Sequence, residues 1–404
     1  MEIGIYKITS FIHDKNSIEK SSSDFLKQIE DKLQIKFNDV GDNFEKNKLN
    51  IFFIRTGGTE NQFKSIYKNT LGPYYLLASN TNNSLAAAME ILSFLKEQNE
   101  EAEIIHGSIS YIATRIEQIY NGINNPKPYI NFGVIGEPSD WLIASNVDYK
   151  LVKNKLKINL IDIKMEEFIE NINKKFIPAS SIVNELVMNN NYENLNKSLE
   201  IYGALKILIN KYNLNGLTIR CFDLLSTVKS TSCLALAILN SEGYVCSCEG
   251  DIPSLISMYI IKEATNLPSF QANPSSINPI TQEVILAHCT LPLKMVKNYK
   301  LMTHFESGLG CAIKGELPLQ QVTVFKASNN LNRFYLKKAK IIENLNEINL
   351  CRTQIKLKFD DVNYFLTNPI GNHHLIVLGE HIEEIQNYIN KIKWGKLYEL
   401  QWEV

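Results

Sequence analysis

The stretch Gly243–Leu255, GYVCSCEGDIPSL, constrains the fold more than any other part of the chain. Tyr244 to Cys248 read as a buried strand that stops at Glu249-Gly250-Asp251, and Pro253 then suits a first helical turn. A strand that hands over to a helix through a polar turn is the repeating unit of an open α/β sheet. Such sheets bind ligands outside the carboxyl ends of their strands. Two carboxylates at that point need a partner, because a charge beside an apolar strand is costly alone. A metal ion, an arginine or a helix N-terminus would serve. Asp251 as a helix cap and Glu249 as a solvated strand end are the plainer alternatives.

The same hand-over recurs along the chain. Residues 1–11 read as a strand, 22–33 as an amphipathic helix, and 49–55 and 74–78 as apolar strands. The last two end in the polar loops Arg55–Glu60 (RTGGTE) and Ser79–Ser84 (SNTNNS), and the second leads into a helix over 85–97. Gly57-Gly58 lacks the lysine of a phosphate loop and the spacing of a dinucleotide fingerprint, so a tight turn is expected there. The pattern restarts at residue 129. Strands are expected over 129–135, 151–163, 217–222 and 244–248, with helices over 165–174, 195–212, 232–240 and from about 252 to 264. After Pro268 the helical period gives way to short alternating runs over 320–326, 333–340, 355–359 and 364–366, which suggest a β-barrel or sandwich. A final stretch over 371–379 (GNHHLIVLG) precedes a helix over 380–391. The expected fold class is therefore α/β: two doubly wound α/β domains, residues 1–128 and 129–267, followed by a C-terminal β-barrel domain, residues 268–404.

A net charge of −1 over 404 residues argues against a nucleic-acid partner, which would want a basic face. No apolar run reaches the ~18 residues that a membrane helix needs, and the start MEIGIYKITSF reads as a strand and not as a secretory signal. The seven cysteines are odd in number and scattered through apolar stretches, so buried thiols in a reducing, cytoplasmic setting are expected.

Polar groups stand repeatedly at strand ends: Asp223, the Glu249–Asp251 pair, His288 in AHCTLP, His304 and Glu306 in THFESG, and His373-His374 before LIVLG. Carboxylates plus an imidazole are a sensible set for Mn²⁺, Mg²⁺, Fe²⁺ or Zn²⁺. Each residue also has a structural alternative. Asp223 would cap a helix, His288 and His304 would be satisfied inside the barrel, and Glu306 would pair with a lysine. His373 and His374 face opposite ways if extended, so at most one enters a site.

Taken in order, FDLL (222–225), CEGD (248–251), AHCTLP (287–292), HFESG (304–308) and GNHH (371–374) resemble the L-fucose isomerase and L-arabinose isomerase superfamily, nearest its shorter fucose isomerase-like branch. GEPSDWLIAS (136–145) and NSLAAAMEIL (83–92) are similar to that branch too. The resemblance runs from about residue 50 onwards. It implies two α/β domains and a barrel, a divalent cation (usually Mn²⁺, or another such as Mg²⁺), and aldose–ketose isomerisation of a monosaccharide through a cis-enediol. It implies Asp223 and Glu249 as the catalytic acids, with Asp223, Glu249, Asp251 and His373 around the metal. Asp223 stands where arabinose isomerases more often carry Glu, one methylene longer. Arg220, Lys229, His288 and His304 would orient sugar hydroxyls and Trp141 would stack on a sugar face, with Glu306 and His374 as further substrate contacts. A homo-oligomer, trimer or hexamer, is implied as well. The expected function is a metal-dependent sugar isomerase. The alternatives are a metal-dependent lyase or epimerase acting on a sugar acid, and a non-catalytic sugar-binding protein on the same fold.

Overall fold

The computed structural model describes residues 2–41, 49–70, 72–98, 100–124, 128–190 and 192–392. The chain divides into two compact units that meet at residues 128 and 129. The first is a five-stranded, all-parallel sheet of β1 (Ile3–Ile8), β2 (Phe37–Asp39), β3 (Leu49–Ile54), β4 (Tyr74–Ala78) and β5 (Ala102–Ile105), in the order β2-β1-β3-β4-β5. Period-two alternation divides β1, β3, β4 and β5 between two cores. Ile51 and Phe53 pack with Leu26, Ile29, Ile112 and Ile116 of the helices Lys15–Leu33 and Ile109–Asn124. Phe52 and Ile54 pack with Phe63, Ala87 and Ile91 of the helices Glu60–Ile66 and Ser84–Glu97. The polar loops after β3 and β4 are tied to one another by a bond from Gly57 N–H to the Asn82 carbonyl, 2.8 Å. A Cβ on Gly57 would sit 3.1 Å from the Asn83 Cβ, so the glycine permits this approach.

The second unit begins with a parallel four-stranded sheet of β6 (Ile130–Ile135), β7 (Ile158–Ile163), β8 (Leu214–Ile219) and β9 (Val245–Cys248), in the order β7-β6-β8-β9. The helices Leu195–Tyr212 and Cys233–Glu242 pack on one face through Leu205, Leu208, Leu234 and Ile238. The helix Ile252–Thr265 packs on the other with Phe132, Val134 and Val245. The remaining strands are β10 (Phe270–Asn278), β11 (Glu283–His288), β12 (Tyr299–Met302), β13 (Ala312–Gly315), β14 (Gln321–Ala327), β15 (Phe334–Asn344), β16 (Thr353–Lys358) and β17 (His374–Leu378). Six of them close a barrel in the order β10-β11-β16-β15-β14-β17, while β12 and β13 form a separate antiparallel pair. Closure removes the free edges an antiparallel sheet would otherwise expose.

Two expected strands are helical. Residues 149–156 form the helix Tyr149–Leu156 because Asp148 caps it, accepting from Lys150 N–H at 2.8 Å, and because Val152 and Leu156 lie one helical turn apart and are buried. Only Ile158–Ile163 of the expected run 151–163 is strand. Residues 363–367, expected to include a strand over 364–366, form the short helix Asn363–Thr367, which buries Tyr364 and Phe365. No helix among the described residues is long and apolar enough to cross a membrane.

Candidate active site

The site grows from the turn after β9. Glu249 and Gly250 both adopt left-handed backbone, at φ 65° and 71°. For a glutamate this is a sparsely populated conformation of the kind that collects at functional sites. The turn is held by Gly250 N–H to the Ile219 carbonyl at 2.8 Å and by Ser139 N–H to the Glu249 carbonyl at 3.1 Å. A Cβ on Gly250 would lie 2.8 Å from the Glu137 carbonyl oxygen, so glycine is required there. The alternative that Glu249 is a solvated strand end does not hold, since it is only 9% exposed. Its Oε2 accepts from Trp141 Nε1–H at 2.8 Å, which turns Oε1 inward.

Two imidazoles meet that inward oxygen. His373 Nε2 lies 3.4 Å from Glu249 Oε1, and His288 Nε2 lies 3.7 Å from the same atom. Barrel register explains how residues so far apart in sequence converge. Asn273 of β10 pairs with Ala287, and Ala272 pairs with His374. β10 therefore carries the end of β11 and the start of β17 at one level on either side of it. Cys248 N–H donates to Gln271 Oε1 on β10 at 2.8 Å, which docks the end of β9 against the barrel at the same place.

Each imidazole has its other nitrogen occupied. His373 Nδ1 lies 2.8 Å from Asp251 Oδ2, and His288 Nδ1 lies 3.0 Å from Thr290 Oγ1. Asp251 is fully buried. It caps the helix Ile252–Thr265 by accepting from Ser254 N–H at 2.8 Å, and its Oδ2 lies 3.5 Å from Lys326 Nζ. Asp251 thus serves as the cap and also anchors His373. Burial pushes the Asp251 carboxyl up, but the Lys326 charge and the His373 bond outweigh it and hold it well below the usual range. Burial likewise opposes charge on Glu249, and the two imidazoles outweigh it, so that carboxyl is lowered too. Burial disfavours His373⁺, yet the Asp251 bond and the two nearby carboxylates raise its pKa to about 9.

Glu249, His288 and His373 each offer one ligand atom, and these atoms lie within 4.8 Å of one another. The donor set fits a divalent cation on a specific observation: the buried His373 Nε2 has no hydrogen-bond partner although it faces a carboxylate. A ring whose Nδ1 is fixed by Asp251 and whose Nε2 is left over is the arrangement of a metal-binding histidine.

The other residues singled out by sequence fall around this cluster in different ways. His304 and Glu306 line the same cavity as Glu249 and His288, together with Phe222 and Asn273. Phe222 stands edge-on to Trp141 at 5.0 Å and to His304 at 5.7 Å between ring centroids. Arg220 forms a fork on Asp140, at 3.1 and 2.9 Å, while its Nε donates to Asp223 Oδ1 at 3.2 Å. Asp223 opens the short helix Asp223–Thr227, and its carboxylate is held by that guanidinium. His374 points away from the cluster: Nε2 meets the Tyr364 hydroxyl at 3.0 Å and Nδ1 the Asn372 carbonyl at 2.9 Å. Its imidazole is buried, which lowers its pKa to about 3. Sequence reasoning did not group His288 with the ion-binding residues. The available signal was its place at the end of an apolar strand, EVILAH, the same signal that marked Glu249.

No family model matches the chain. It is similar to a curated protein named sulfoquinovose isomerase from Priestia aryabhattai, 23% identical over 222 residues, which cover 51% of this chain and 49% of that protein. A sulfoquinovose isomerase from Alkalicoccus urumqiensis is 21% identical over 224 residues, 52% of this chain and 48% of its own length. One from Clostridium sp. (strain MSTE9) is 26% identical over 140 residues, 33% of this chain and 31% of its own. The matched span is about half the length of the first two relatives, and all three carry the name of an isomerase.

Proposed function

We propose that this chain is a divalent-metal-dependent sugar isomerase of the fucose/arabinose isomerase type that interconverts an aldose and its ketose through an enediol. The observation that carries the reading is the convergence of two imidazole Nε2 atoms on the buried Glu249 Oε1, with no hydrogen bond made by His373 Nε2. Likeness to relatives named sulfoquinovose isomerase favours this reaction class and makes sulfoquinovose the first aldose to try.

Glu249, His288 and His373 would hold the ion, and Mn²⁺ is the cation proposed, since one carboxylate and two imidazoles accept it. Bound there, a divalent cation would offset the negative charge that develops on the sugar oxygens when a proton leaves carbon. The protein's own groups do the rest. Trp141 fixes the Glu249 carboxylate through Oε2, and Asp251 fixes the tautomer and tilt of His373. A carboxylate takes the proton from C2 and returns it at C1, with Asp223 and Glu249 as the pair in this reading. Asp223 must exchange its Arg220 partner for substrate, whereas Glu306 already lines the cavity and stands as the substitute acid. His304 and Trp141 would orient and stack the sugar. His374, with both nitrogens engaged, is assigned to the barrel core. Assembly into a trimer or hexamer belongs to the same proposal.

The grip of Arg220 on Asp223 favours a second reading, a sugar-binding protein without turnover. The test is incubation of purified protein with Mn²⁺, sulfoquinovose and a panel of aldoses in deuterated water, followed by NMR. A ketose with deuterium at the exchanging carbon is the expected product, and Glu249→Gln should slow its formation by about 10²–10⁴-fold. Binding without product would support the second reading. Loss of water or a fragment would indicate lyase chemistry. A Glu249→Gln variant with full activity and full metal content would overturn the proposal.

A further inference from the structure

Cys221 lies two residues beyond the end of β8, and Cys248 is the last residue of β9. The two strands are parallel neighbours, with Ile219 opposite Cys248. Their sulfur atoms lie 3.2 Å apart. Both residues are buried from the bulk, yet both line the cavity that also holds Glu249 and His288, so a small solute in the cavity reaches them. Cys248 is bonded directly to Glu249, the residue whose left-handed turn aims Oε1 at the two imidazoles.

We propose that Cys221 and Cys248 are an oxidisable pair that hydrogen peroxide converts to a disulfide, and that this bond pulls Glu249 out of its site. Cys221, as thiolate, attacks a peroxide oxygen; the O–O bond breaks, the proton it gave up joins the departing oxygen, a sulfenic acid forms and one water leaves. The second sulfur then displaces the sulfenic oxygen as a second water, and the S–S bond forms. Two thiols are oxidised by two electrons and one peroxide is reduced to two waters. A disulfide holds its sulfurs at about 2.05 Å, so the pair must close by roughly 1 Å, and Glu249 is the next residue along the chain from one of them. Disulfides inside reducing compartments are usually transient and redox-sensing, which is the behaviour assigned here. Thiol exchange with a small dithiol reverses the step.

The bond itself is independent of the metal reading, whereas its effect on Glu249 is read through Mn²⁺ binding and rests on that reading. Reduced protein is treated with hydrogen peroxide and analysed by intact mass and by non-reducing peptide mapping. The expected result is the loss of two hydrogens, a mapped Cys221–Cys248 linkage, and recovery with dithiothreitol. Calorimetry should show Mn²⁺ affinity at least about tenfold weaker in the oxidised form. An unchanged mass, oxygen addition without a linkage, or a linkage mapped first among Cys233, Cys289 and Cys351 would overturn the pair. A mapped linkage with unchanged Mn²⁺ affinity would overturn its effect on the site. Reduced protein that binds no Mn²⁺ would instead count against the metal reading, while a mapped linkage would still stand.

Discussion

Glu249, His373 and Asp251 are three buried polar groups, and among them the His373 Nε2 atom alone has no hydrogen-bond partner. That asymmetry ranks the residues. His373→Ala removes the unpartnered Nε2 and should abolish measurable Mn²⁺ binding in calorimetry. Asp251→Asn keeps an oxygen for the Ser254 cap but loses the charge that orients the ring, and should weaken Mn²⁺ by about 10–100-fold. Unchanged affinity in Asp251→Asn would remove Asp251 from its positioning role. Lys326 makes Asp251 more than a cap: its pKa is pushed down by burial and partly restored by the Asp251 charge. At this scale the sequence reading offered Asp251 as a cap and, by resemblance, as a metal neighbour; the structure shows the cap and a bond to the His373 ring, while the clustered ligand atoms belong to Glu249, His288 and His373. A capping motif spans four residues, whereas His373 reaches Asp251 from just before β17 and Lys326 from β14.

Among the elements, the helix Leu195–Tyr212 shows how packing overrides propensity. Gly203 lies in its interior, where alanine would ordinarily gain about 1 kcal/mol. A Cβ there would fall 1.7 Å from the Phe176 carbonyl oxygen, which lies against the helix. Gly203→Ala should therefore destabilise the second unit by more than about 3 kcal/mol, the cost of forcing packed backbone apart, seen as a lower urea midpoint. A midpoint equal to or above wild type would show that the 176–178 segment yields freely. The misread strands teach the same lesson from the other side. KLVKNKLKINLIDI carries apolar residues compatible with either period, and only the Asp148 cap and the burial of Val152 and Leu156 decide for helix at its start. Leu195–Tyr212 was legible to the residue because it is long and carries the helical period, and Tyr74–Ala78 because a fully buried apolar run of five residues between turns is too short for a helix.

For the whole molecule, the two units make separate predictions. The first has a parallel sheet with a core on each face, so residues 1–128 alone should fold and unfold cooperatively in urea, monitored by circular dichroism. A non-cooperative melt would contradict this. The candidate ion site lies wholly in the second unit, so Mn²⁺ should stabilise that unit's transition alone. Saturation at a hundred times Kd adds about 2.7 kcal/mol by mass action, and chelation should reverse it. A shift confined to the first unit's transition would place the ion elsewhere. The sequence by itself determined the alternation of strand and helix, the polar ends of the strands and the change of texture after Pro268, because each depends on side-chain period and turn chemistry within about ten residues. Only the tertiary structure decided that Glu249, His288 and His373 share one point, that Arg220 forks on Asp140, and that Cys221 touches Cys248. Those contacts depend on barrel closure, strand register and the left-handed turn at 249–250, where residues distant in sequence are brought within a few ångströms by packing that no local pattern encodes.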